Sequence, residues 1–203
     1  MQKTVLILAC GALAGELTQL IRLNGWANVS VACLPAELHD TPRKIPDAIR
    51  KKIEVNRLRF DTIFAAYADC GTGGQLDRLL LKYGIERLPG AHCYEFFAGS
   101  AAFSRLSAGE PGTFYLTDFL VRHFDRLVYR GLGLDRHPEL KAEYFSNYRR
   151  LVHLAQTDDE DVRQKAEEHA ERLGLAYEHH YTGLGKLQRH IEPMIQQVVK
   201  CQS

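Results

Sequence analysis

Three of the five cysteines stand directly behind short apolar runs: Cys10 after VLILA, Cys70 after TIFAAYAD and Cys93 after RLPGAH. If each run is a strand of a parallel sheet, all three thiols lie at carboxyl ends, the edge on which open α/β sheets build ligand crevices. The turns that hold them, CGALAG, DCGTGG and HCYEFFAG, are rich in small residues. Such turns let sulfur face a cavity and expose backbone amides, which favour the thiolate that binds metal or attacks an electrophile. Two centres fit three converging thiolates. One is Zn2+ held by Cys10, Cys70 and Cys93, with its fourth position left to water or a substrate heteroatom. The other is a [4Fe–4S] cluster on the same cysteines, with one iron open to substrate. No CxxC pair is present, and both centres stay open at this point. Cys33, inside the alternating run VSVAC, reads as core, and Cys201 as a thiol without a special role.

Around this set, Glu95 follows Cys93 by two positions and is the candidate acid or base. His92 adjoins Cys93, and His39 in LPAELHDTP is the other histidine best placed to add a ligand. Gly71, Thr72 and Gly73 in DCGTGG form a turn able to cradle an anion with backbone amides, with an ordinary tight βα turn as the alternative. The turn lacks GxGxxG spacing and any following Lys-Ser or Lys-Thr, so it does not indicate a nucleotide. Gln156, Thr157 and Asp158, in QTDDED behind LVHLA, and His180 in EHHYTG also fall at strand ends and are candidate substrate contacts. The first acids of QTDDED equally suit a helix cap and first turn.

The elements that must position these residues alternate between apolar runs and segments of helical period, which makes the class α/β: a mostly parallel sheet with helices on both faces. Strands are expected over 4–9, 28–34, 62–67, 86–91, 151–155 and 175–178. Helices are expected over 15–23, 46–57, 75–83, 159–173 and 186–200, the last interrupted by Pro193. Between about 94 and 144 the pattern predicts a helical excursion without a strand. There Phe114, Leu116, Phe119, Leu120, Phe124, Leu127 and Val128 make a broad apolar face, to be buried either in the chain's own core or against a second copy in a homodimer. The segments starting FDTIFAAYADCGTGG and YRRLVHLAQTDDED echo one another, so the single domain, 1–203, also reads as two similar βαβ halves.

With 203 residues, 45% of them hydrophobic, the chain can bury a sizeable core. Its 26 Lys plus Arg nearly cancel its 25 Asp plus Glu, and no run of five like charges argues for a nucleic-acid partner. No run of eighteen apolar residues predicts a transmembrane helix. The opening MQKTVLILACGALAGEL reads as a buried strand rather than a signal peptide, so a cytoplasmic location with reduced thiols is expected.

Through LILACGALA, CLPAELHDTP, YADCGTGGQLD, GAHCYEFFAG, GTFYLTDFL, LAQTDDED and HYTGLGKL, nearly the whole chain resembles a bacterial and archaeal family called domain of unknown function 1638. Members are often encoded near corrinoid-dependent methyltransferases, so the resemblance implies a role in one-carbon or amine metabolism and a corrinoid methyltransferase system as partner. The DxHxxG pattern of a cobalamin-binding module is absent. The resulting expectation is a metal-dependent enzyme that transfers a group or converts a small-molecule substrate at a three-cysteine centre. The alternative is a non-catalytic ligand-binding or accessory protein for such a methyltransferase system.

Overall fold

The computed structural model describes residues 3–200, and side chains over 3–196; Cys201 lies outside the described residues. The chain divides into two compact units, one formed by 1–93 with 187–203 and the other by 94–186. Each carries a parallel three-stranded sheet with helices around it. The α/β class is therefore observed, distributed over two sheets.

In the first unit the order is β1 (Val5–Cys10), α1 (Ala14–Asn24), β2 (Val29–Leu34), α2 (Ile45–Asn56), β3 (Thr62–Ala66) and α3 (Gln75–Tyr83). The sheet runs β2-β1-β3, all parallel, so β1 is the central strand. A central parallel strand is covered on both faces, which is why VLILAC is apolar without alternation and buried throughout. Helix α2 places Ile45, Ile49 and Ile53 one turn apart on its buried face. Helix α3 is stopped by Gly84, whose φ of +61° closes a left-handed cap with N–H groups of Gly84 and Ile85 on the Leu81 and Leu80 carbonyls.

The strand expected over 86–91 does not form. A single parallel bridge joins Arg87 to Ala65, after which Pro89 lacks the N–H a ladder needs and Gly90 turns to φ +107°.

In the second unit the order is α4 (Tyr94–Ala98), α5 (Ser100–Gly109), β4 (Thr113–Thr117), α6 (Asp118–Arg122), α7 (Leu140–Phe145), β5 (Arg150–Ala155), α8 (Glu160–Leu173) and β6 (Ala176–Tyr181), with a π-helical turn at Asp125–Tyr129. The sheet runs β4-β5-β6, all parallel. Strand β4 corrects the expected strand-free excursion. Its TFYLT is almost wholly β-branched and aromatic, which favours a pleated strand, and the apolar spacing that suggested a helix is shared between β4 and the turns after it. Leu116, Phe124 and Val128 from that face enter a core with Leu151, Val162 and Ala166, and Phe114 and Leu120 pack against it.

Helix α8 begins under an Asp159 cap that accepts from the Asp161 and Val162 N–H groups. It ends at Gly174 (φ +78°) with the same hydrogen-bond pattern as α3. The last helix, α9 (Gly185–Lys200), crosses the division between the units and continues through Pro193 rather than breaking there.

Candidate functional site

The carboxyl edge of the first unit's sheet gathers two thiols, an imidazole and a phenol. Cys10 ends β1 and caps the short 3-10 turn Gly11–Leu13, its sulfur accepting from the Ala12 N–H at 3.3 Å. The CGALAG turn thus supplies one backbone amide to the thiol. Burial nevertheless pushes the Cys10 thiol up to about 12, against the smaller pull of that amide, and the neighbouring Cys70 and Cys33 raise it further. In the free protein it is a neutral thiol.

Cys70 lies beyond β3 with φ +50°, the one described residue other than glycine in the left-handed region. Glycine would adopt that conformation without strain, whereas a side chain there costs about 1 kcal/mol or more. The cost is consistent with a position that needs sulfur. Its N–H donates to the Ala91 carbonyl at 3.0 Å, which draws the 90–93 segment alongside. Burial, with the neighbouring Asp69 carboxylate, pushes the Cys70 thiol up to about 11, opposed by main-chain hydrogen bonding from Ala68, by the Arg87 charge and by the main chain of Cys93. Cys93 thus reaches Cys70 through its main chain.

His39, in a 3-10 turn at Ala36–Asp40 behind β2, supplies the imidazole. Its Nδ1 lies 2.9 Å from the Ala36 carbonyl and 3.9 Å from Cys10 Sγ. A carbonyl only accepts, so Nδ1 carries the hydrogen and Nε2 of the neutral ring carries a lone pair. That Nε2 is buried and has no hydrogen-bond partner, and neither has the buried Tyr67 hydroxyl. The hydroxyl is close enough to favour a Cys10 thiolate without reaching the geometry of a hydrogen bond. Burial, reinforced by the surrounding thiols, drives the Tyr67 phenol upward. His39 was legible as a histidine near a strand end; Tyr67 carried no signal that set it apart from a core aromatic.

The DCGTGG turn is filled by its own carboxylate. Asp69 accepts from the Thr72 hydroxyl at 2.7 Å and from the Gly73 and Gly74 N–H groups at 3.1 and 2.9 Å. These donors hold the Asp69 carboxyl below its ordinary range. Thr72 is buried and Gly71, at φ +80°, is exposed. The Gly73 and Gly74 amides are therefore taken by Asp69, the arrangement of the tight βα turn that the sequence offered beside an anion cradle.

The remaining candidates divide between the two units. His92 is exposed at the end of the first unit, and Glu95 is half-buried in the first turn of α4, in the second unit. Gln156, Thr157, Asp158 and His180 also belong to the second unit. There Gln156 Oε1 accepts from the Asp118 N–H, and Thr157 donates through N–H and hydroxyl to Asp118 Oδ2 at 2.9 and 2.6 Å. The other Asp118 oxygen accepts from His153 Nε2 at 2.9 Å, with both side chains 1% exposed. Burial would raise the Asp118 carboxyl, but the hydrogen bonds from His153 and Thr157 outweigh it and hold it low. Gln156 and Thr157 thus serve a buried network that sequence reasoning missed, because Asp118 and His153 are 35 residues apart. Asp158 is exposed, and His180 pairs with Glu178, which also pairs with Arg150.

Among the described residues, no three His, Cys, Asp or Glu side chains are already grouped closely enough to hold a metal ion. The donor types at the first unit's edge nevertheless suit one. A metal-binding histidine characteristically donates its other ring N–H to a carbonyl or carboxylate, as His39 does. No helix among the described residues is long and apolar enough to cross a membrane.

No curated protein matches the chain. A family model described as protein of unknown function, DUF1638, matches residues 33–191. The match contains His39, Cys70 and Cys93 and begins after Cys10. Over that span the expected resemblance holds, and the chain belongs to the DUF1638 family of proteins of unknown function.

Proposed function

We propose that this protein is a metal-dependent enzyme whose centre uses Cys10, Cys70 and His39, with Cys93 as the further thiol brought to Cys70 by its backbone. The observation that carries the reading is the buried, unpartnered lone pair of His39 Nε2, on a ring whose Nδ1 lies 3.9 Å from Cys10 Sγ. A buried polar atom without a partner costs stability unless an ion, water or ligand satisfies it. Mixed imidazole and thiolate donors suit Zn2+ better than a [4Fe–4S] cluster. Bound there, zinc would supply Lewis acidity and displace thiol protons that are otherwise retained at neutral pH. His39 would keep its orientation through Ala36, and Asp69 would hold the Cys70 turn. Group transfer or another small-molecule conversion follows from such donors. A cytoplasmic setting in one-carbon or amine metabolism, with a corrinoid methyltransferase system as partner and Glu95 as acid or base, rests on the family resemblance and sequence position.

The test is elemental analysis of protein purified without oxygen, followed by Co2+ replacement. About one zinc per chain, and cobalt spectra with sulfur-to-metal charge transfer that weaken in Cys10→Ser, Cys70→Ser and His39→Ala, are expected. A brown, sulfide-containing protein would replace zinc with a cluster. Absence of bound metal together with no thermal shift on Zn2+ addition would overturn the reading.

A further inference from the structure

The second unit contains a cleft of about 580 Å3 that the thiol site does not use. The volume falls in the range of small-molecule pockets. Its lining includes Arg122, Arg126, Arg130 and Lys165 against two carboxylates, Asp125 and Glu168. Asp125 is already paired at 2.5 Å with Arg172, and Arg122 at 3.4 Å with Asp159, neither partner lining the cleft, which leaves Arg126, Arg130 and Lys165 against Glu168. The cleft therefore presents a net positive field in a chain whose formal net charge is only +1.

Two features fix this arrangement. Arg126 lies within the widened π-helical turn Asp125–Tyr129 and Arg130 caps it, the Arg130 N–H bonding the Asp125 carbonyl at 2.9 Å in place of the usual α-helical partner. Isolated π turns of this kind are frequent at functional sites. Opposite them, Lys165, Glu168 and His169 share one face of α8. His169 is locked, its Nε2 donating to the Val121 carbonyl at 3.1 Å and its ring stacked on Phe124 with centroids 3.9 Å apart. Cations on a short, packed frame suit a compact dianion, which takes several charge-assisted hydrogen bonds at once.

We propose that this cleft binds a small molecule bearing a phosphate or diphosphate group, with Arg130 and Lys165 as principal contacts. The inference stands independently of the metal reading. Because these cations are exposed, binding is modest and weakens with salt.

Isothermal titration of the full chain, freed of metal and held at constant ionic strength with sodium chloride, would use inorganic pyrophosphate and inorganic phosphate as probes. Saturable one-to-one binding is expected, tighter for pyrophosphate. Arg130→Gln and Lys165→Gln should each weaken it about tenfold, equivalent to about 1.4 kcal/mol. Glu168→Gln should tighten it, an opposite sign that a folding defect would not produce. No saturable pyrophosphate binding, or equal affinity in all three variants, would overturn the proposal.

Discussion

The imidazole of His39 lies parallel to the phenol of Tyr67, with ring planes 8° apart and centroids separated by 6.3 Å. Each ring ends in a buried polar atom that has no partner, so one edge of the first sheet carries two adjacent deficits. Removing one of them should be informative. Tyr67→Phe is expected to leave the metal-free protein as stable as the parent or to raise its stability by about 1 kcal/mol, because it deletes an unsatisfied hydroxyl. Urea unfolding in chelator at pH 7 measures this, and a clear loss of stability would mean that the hydroxyl is bonded in solution.

The two buried thiols set an alkaline limit. Their folded pKa values, about 12 for Cys10 and about 11 for Cys70, are raised above the ordinary 9.0. The folded state therefore favours the protonated form, and that stability is complete below about pH 9 and lost as pH rises towards 11 and 12. Metal-free protein should become progressively less stable over this range, and Cys10→Ala should flatten the profile. Denaturant midpoints from pH 8 to 11 check both statements.

In the second unit, Asp118→Ala should cost about 3–5 kcal/mol, since it leaves His153 buried without its carboxylate partner. The Asp118 carboxyl is held below its ordinary value, so its contribution is present above about pH 4 and fades as pH falls through the lowered folded pKa. Acid titration of stability should lose this low-pH component in the variant while the alkaline component from the thiols persists.

Asp69→Ala removes the acceptor of the Thr72 hydroxyl and the Gly73 and Gly74 amides. A loss of about 1–2 kcal/mol is expected, comparable with deletion of a helix cap. If the turn positions Cys70, zinc affinity should fall in the same variant although Asp69 is not a proposed ligand. Competition with a chromogenic chelator would separate that effect from stability.

Much of the framework was legible because period and punctuation agreed. Helix α3 was expected over 75–83 and occupies Gln75–Tyr83, with Gly84 stopping it. What escaped was non-local. Whether TFYLT pairs as a strand depends on β5, whose register sets Thr113 beside Arg150, and no local pattern encodes that. The run before Cys93 looked like a strand until Pro89 and Gly90 are weighed as ladder breakers. At the site, the cysteines drew attention through their spacing. The tautomer of His39 is set by a carbonyl three residues away, and the isolation of Tyr67 depends on packing that sequence does not display.

The interrupted course of the first unit bears on how the chain is made. Leu187, Ile191 and Ile195 belong to that unit and are buried, yet they follow all of 94–186 in order of synthesis. During translation, the second unit is a continuous segment able to complete its fold while the first still lacks its closing helix. Until α9 emerges, apolar surface in the first unit stays uncovered, the condition under which nascent chains aggregate or recruit chaperones. Ribosome-bound chains cut after residue 186 and extended by a linker long enough to clear the exit tunnel should accordingly protect the second unit from protease before the first.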